Sequence, residues 1–64
     1  MTATELFDIA QEHRRNRRFG DAVNMYAAVI EAPDATDELR RRAATSIELI
    51  QDINGFVNAD LMNP

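Results

Sequence analysis

Leu6, Ile9, Ala10 and His13 follow one another at spacings of three, one and three, the stripe of a helix with one side against a core. Thr2 precedes Glu5 by three positions, the pattern of a capping box, with Thr4 as a rival cap. A first helix is therefore expected over about residues 3–16. Its stop is expected at Asn16, a residue that tolerates left-handed backbone.

A second helix is expected over about residues 20–32, entered at Gly20 and Asp21 where an acidic side chain suits the positive dipole end. From Ala22 to Ile30 only Asn24 is clearly polar, so this helix should be covered on more than one side. Ala22, Tyr26 and Val29 are expected to face the first helix and Val23 and Ile30 the third. Met25, Ala28 and Ala32 are left over as a strip for self-association or a partner, or as alanines tolerated at a surface. Pro33 ends the helix, because proline cannot continue it and biases the preceding residue away from helical backbone.

A third helix is expected over about residues 36–54, capped by Thr36 and opened by two carboxylates, Asp37 and Glu38. Leu39, Ala43, Ile47 and Ile50 line one face, widened by Leu49 and Ile53. Asn54 and Gly55 form a stop signal, and the tail 55–64 offers Phe56 and Val57 to fold back, with Leu61 and Met62 as a last apolar anchor. No strand pattern is present. The expected fold class is all-α: one domain over residues 1–64, with three helices and a short folded-back tail.

The chain's 64 residues lie near the size at which one core barely holds a fold, so association would help it. There is no cysteine and one histidine, which excludes disulfides and thiolate or multi-histidine metal sites. Neither a basic leader with an apolar run nor a long apolar span is present, and a soluble cytoplasmic chain is expected. The net charge of −4 disfavours attraction to nucleic acid or anionic membranes.

With the hairpin placed, residues 6–30 resemble a tetratricopeptide repeat on Leu6, Ile9, Ala10, Phe19, Ala22, Tyr26 and Val29. Arg17 stands where that family usually has a turn glycine, and His13 where it prefers an apolar residue. The third helix then looks like the first helix of a following repeat, serving as a cap. The ending FVNADLMNP also resembles that of short uncharacterised bacterial proteins of this helical type. The family resemblance implies protein binding on the face lined by each repeat's first helix. Here that face would hold Thr4, Phe7, Gln11, Arg14 and Arg15, with Phe7 as an exposed aromatic, or one covered by Leu61 or Met62 of the tail. Such a face could receive an acidic or C-terminal peptide.

All seven basic residues are arginine: Arg14, Arg15, Arg17, Arg18, Arg40, Arg41 and Arg42. The cluster from Arg14 to Arg18 could grip phosphates, which makes nucleic-acid binding the alternative function. Local pairing explains both clusters better: Glu12 precedes Arg15 by three positions, and Asp37 and Glu38 precede Arg41 and Arg42 by four. His13 lacks convergent partners for catalysis, and the Asp8/Glu12 and Glu48/Asp52 pairs read as solvated carboxylates. Ser46, Thr45 and Tyr26 have no oxyanion signature beside them. No catalytic residue, metal site or cofactor is expected. The expected function is a non-enzymatic protein-interaction or self-association module, with Phe7, Gln11, Arg14, Arg15, Met25 and Ala28 as candidate partner-binding residues.

Overall fold

The computed structural model describes residues 1–54. Among them are three helices, α1 (Ala3–Arg15), α2 (Phe19–Glu31) and α3 (Asp37–Asn54), and no strand. The chain is all-α. The tail expected over 55–64, with its contacts from Phe56, Val57, Leu61 and Met62, lies outside the described residues, as does the side chain of Ile53.

α1 begins with the capping box expected from Thr2 and Glu5. The Glu5 amide donates to Thr2 Oγ1 at 3.1 Å and the Thr2 amide donates to Glu5 Oε1 at 2.8 Å, so two otherwise orphaned donors satisfy one another's residues. A third is met from far along the chain. The Ala3 amide donates to Asp34 Oδ2 at 3.0 Å, which pins the α2–α3 turn to the start of α1 and places a carboxylate at its positive dipole end.

The end of α1 corrects the sequence reading. Asn16 has φ −90°, and the left-handed residue is Arg17 at φ 62°. The Arg18 amide reaches the His13 carbonyl at 2.8 Å and the Arg17 amide the Arg14 carbonyl at 3.1 Å. This is the paired Schellman pattern, which requires left-handed backbone one position past the cap rather than at it. Hydrogen bonding thus overrides asparagine's preference, and α2 starts one residue earlier than expected, at Phe19, with no side-chain cap from Arg18.

α2 stops as its proline dictates. Ala32, before Pro33, is extended at φ −70° and ψ 131°, and the last α2 carbonyls are then met by α3. Arg40 Nε donates to the Ile30 carbonyl and Arg40 Nη2 to the Ala32 carbonyl, both at 3.1 Å. A cation at a helix C-terminus also opposes the dipole. Thr36 caps α3, its Oγ1 accepting from the Leu39 amide at 3.1 Å.

α2 is the central layer, with α1 and α3 each packed against it. Ala22, Tyr26 and Val29 are fully buried, as the α2 pattern implied. Ala10 of α1 and Ala43 of α3 are also fully buried, and their small size lets both helices approach α2 closely. In α1, however, the buried set is Ala3, Phe7 and Ala10, while Leu6, Ile9 and His13 are only half-buried. The core face is thus rotated toward Phe7. In α3, Ser46 is buried and Leu49 is 43% exposed, so the expected widening through Leu49 does not occur. Met25 packs against the core and is half-buried, Ala28 is half-buried, and Ala32 is buried. The strip expected on α2 is consequently less open than its sequence implied.

Candidate functional site

Phe7, Gln11 and Arg14 lie at i, i+4 and i+7 of α1 and share one helix face. α3 presents two adjacent ridges, Arg41 with Thr45 and Arg42 with Ser46. Because both helices are held by α2 and scarcely meet each other, these seven residues line an open cleft of about 320 Å³ between α1 and α3.

The floor of the cleft is fixed from below by Tyr26. Its ring meets that of Phe7 edge-on, with centroids 5.6 Å apart and an interplanar angle of 66°, a geometry favoured by the ring quadrupoles. The Tyr26 hydroxyl donates to Gln11 Oε1, so the Gln11 Nε2 group is left to donate elsewhere. From α3, the Arg42 guanidinium stands over the Phe7 ring at 5.1 Å from the centroid, a cation–π contact. Phe7 is therefore 6% exposed. This corrects the reading of Phe7 as an exposed aromatic: Tyr26 and Arg42 both contact its ring, while the alternative cover by Leu61 or Met62 falls outside the described residues.

The arginines divide into two kinds. Arg15 pairs with Glu12 at 2.8 Å, as expected, and Arg40 pairs with Asp37 at 3.3 Å. The expected pairs of Asp37 with Arg41 and Glu38 with Arg42 do not form among the described residues, because Asp37 meets Arg40 three positions on and Arg42 turns toward Phe7. Arg14, Arg41 and Arg42, the three that line the cleft, have no carboxylate partner among the described residues.

Glu5 and Glu12, both shifted below the ordinary carboxylate range, lie off the cleft. The hydrogen bond from Arg15, together with its charge and a bond from the Asn16 amide, holds Glu12 below its ordinary range. Glu5 is lowered by the Thr2 backbone and side-chain hydrogen bonds of the capping box. The cleft itself offers guanidinium groups, an amide and two hydroxyls, with no histidine or carboxylate among its lining residues. Its chemistry is that of a donor array toward an acceptor-rich ligand.

Of the residues expected to bind a partner, Phe7, Gln11 and Arg14 are brought together, whereas Arg15 lies outside the cleft in its exposed pair with Glu12. Met25 and Ala28 are on α2 and do not line it. Sequence reasoning missed Arg41, Arg42, Thr45 and Ser46 as site residues. Their i, i+4 ridges are visible in the sequence, but the same spacing offers Asp37 and Glu38 as helical partners for Arg41 and Arg42. Among the described residues no group of three or more histidine or acidic side chains is placed to hold a metal ion, and no helix is long and apolar enough to cross a membrane. No family model, curated protein or solved structure matches the chain.

Proposed function

We propose that the chain is a cytoplasmic, non-enzymatic module that binds a peptide segment of another protein in the cleft between α1 and α3. The observation that carries this reading is the cleft itself. It has donor-rich walls anchored by the contacts of Phe7 with Tyr26 and Arg42, and two helices build it by packing on a third instead of on each other. Preformed concavity with a few convergent polar groups is the usual form of a binding site. The tetratricopeptide resemblance of residues 6–30 supports the same reading, since α1 and α3 would be the successive first helices that line that family's ligand face. Self-association through Met25 and Ala28 has less support, because both are partly covered within the chain.

A selection from a random peptide library on the full chain tests the proposal. Peptides are expected to be enriched that no longer bind Thr45→Trp, which fills the cleft from an exposed α3 position. No enrichment, or enriched peptides indifferent to that substitution, would overturn it.

A further inference from the structure

We propose that the occupant of the cleft is an acidic peptide segment, its carboxylates held by Arg14, Arg41 and Arg42; this rests on the protein-binding reading above. Three guanidinium groups surround a space of about 320 Å³ with no carboxylate among the described residues to balance them, although Arg15 and Arg40 each have one. Like charges gathered on one concave surface raise the local potential, and an anion relieves it. The guanidinium fork matches a carboxylate with two parallel hydrogen bonds. The Arg42 guanidinium carbon stands 5.1 Å from the Phe7 ring centroid, and a cation–π contact of that kind consumes none of the guanidinium's hydrogen-bond donors.

The neutral lining has the same polarity. Gln11 spends its oxygen on Tyr26 and retains its amide donors, while Thr45 and Ser46 contribute hydroxyls. An extended acidic segment offers such a lining both side-chain carboxylates and backbone carbonyls.

Two features separate this occupant from a nucleic acid. Single strands are held on exposed aromatic faces, but Phe7 is covered and Tyr26 is fully buried. A phosphate backbone running beyond the cleft would also meet a chain whose acidic residues number eleven against seven arginines in all, and would be repelled. A short segment confined to the cleft avoids that repulsion.

Fluorescence anisotropy on the full chain provides the test, using a labelled peptide of about five residues rich in Glu and Asp, short enough to stay within the cleft. Comparison probes are the same peptide with Gln and Asn, a singly phosphorylated serine peptide and a single-stranded oligonucleotide. The acidic peptide is expected to bind at least about tenfold more tightly than the amide version. Arg14→Gln and Arg41→Gln are each expected to weaken it by about tenfold, the scale of a lost charge-assisted contact, and Arg15→Gln by less than about twofold. Equal affinity for the amide peptide, an equal loss in Arg15→Gln, or preference for the phosphopeptide or oligonucleotide would overturn the inference. If library selection returns neutral peptides that need an open cleft, the protein-binding reading survives and this one fails. If no peptide needs the cleft, both fail.

Discussion

The guanidinium of Arg42 stands over the face of Phe7, 5.1 Å from the ring centroid, and links α3 to α1 across a cleft that their backbones leave open. Phe7 is at once part of the core and the floor of the site. Removing its ring takes away the edge contact with Tyr26 and leaves a void in a very small core. Phe7→Ala is expected to destabilise by about 3–5 kcal/mol, enough to unfold much of a domain this size. Arg42→Gln, which keeps the ring, is expected to cost only about 0.5–1 kcal/mol. Urea unfolding followed by circular dichroism checks both.

Tyr26 contributes a ring and a hydroxyl, and the two are separable. Tyr26→Phe keeps the ring contact but strips Gln11 Oε1 of its donor, for an expected loss of about 0.5–1.5 kcal/mol. In a double-mutant cycle with Gln11→Ala the two losses are expected to be less than additive, because either substitution alone removes the bond. Additive losses would show that the hydroxyl acts through another partner.

Arg40 and Arg41 are sequence neighbours with opposite roles. Arg40→Met retains most of the aliphatic stem but leaves the Ile30 carbonyl unmet and takes from the Ala32 carbonyl one of its two donors, the Ala35 amide remaining at 3.2 Å. A loss of about 1–3 kcal/mol is expected. Arg41→Met, at an exposed side chain with no ion pair among the described residues, is expected to change stability by no more than about 0.5 kcal/mol. Thermal melts of the pair make the comparison.

The turn between α1 and α2 can be improved. Arg17 holds φ 62°, which costs an ordinary L-residue about 1–2 kcal/mol. After its greater unfolded-state entropy is set against this, Arg17→Gly is expected to gain about 0.5 kcal/mol. Gly20, in the first turn of α2, has open space where a Cβ would stand, and Gly20→Ala is expected to add about 0.4–1 kcal/mol. Asn16→Gly, at ordinary backbone angles, is expected to bring no gain. Melting temperatures of the three variants distinguish the left-handed position from its neighbour.

Glu5 and Glu12 are held below their ordinary range in the folded chain. A lowered carboxyl stabilises the fold above the unfolded group's pKa, and that contribution is lost as pH falls through the folded value. Stability is therefore expected to fall as pH drops through and below the ordinary glutamate range. Glu5→Gln retains a side-chain acceptor for the capping box without its charge, and Glu12→Gln leaves the Arg15 pair without charge. Each is expected to flatten that slope in melts across the range, and slopes identical to the parent chain's would refute the assignment.

The pattern of apolar positions, caps and proline was enough to determine three helices to within a residue at each described end, because these signals act within one or two turns. Capping at Thr2 and Thr36, the exit at Pro33 and the buried Ala22, Tyr26 and Val29 all follow from local chemistry. Packing decided the remainder. α1 carries apolar residues around a wide arc, and periodicity alone could not rank Phe7 above Leu6 and Ile9. Tyr26 and Arg42, supplied by other helices, made Phe7 the buried one. Arg17 took the left-handed angle from Asn16 because the Schellman bonds place it there. The cleft was legible only in part, through Phe7, Gln11 and Arg14. Its other wall depended on Asp37 meeting Arg40 and on Arg42 turning to Phe7 instead of Glu38, which left Arg41 and Arg42 to line the cleft. That choice is made by the docking of α3 on α2, and the spacing of charges along one helix does not contain it.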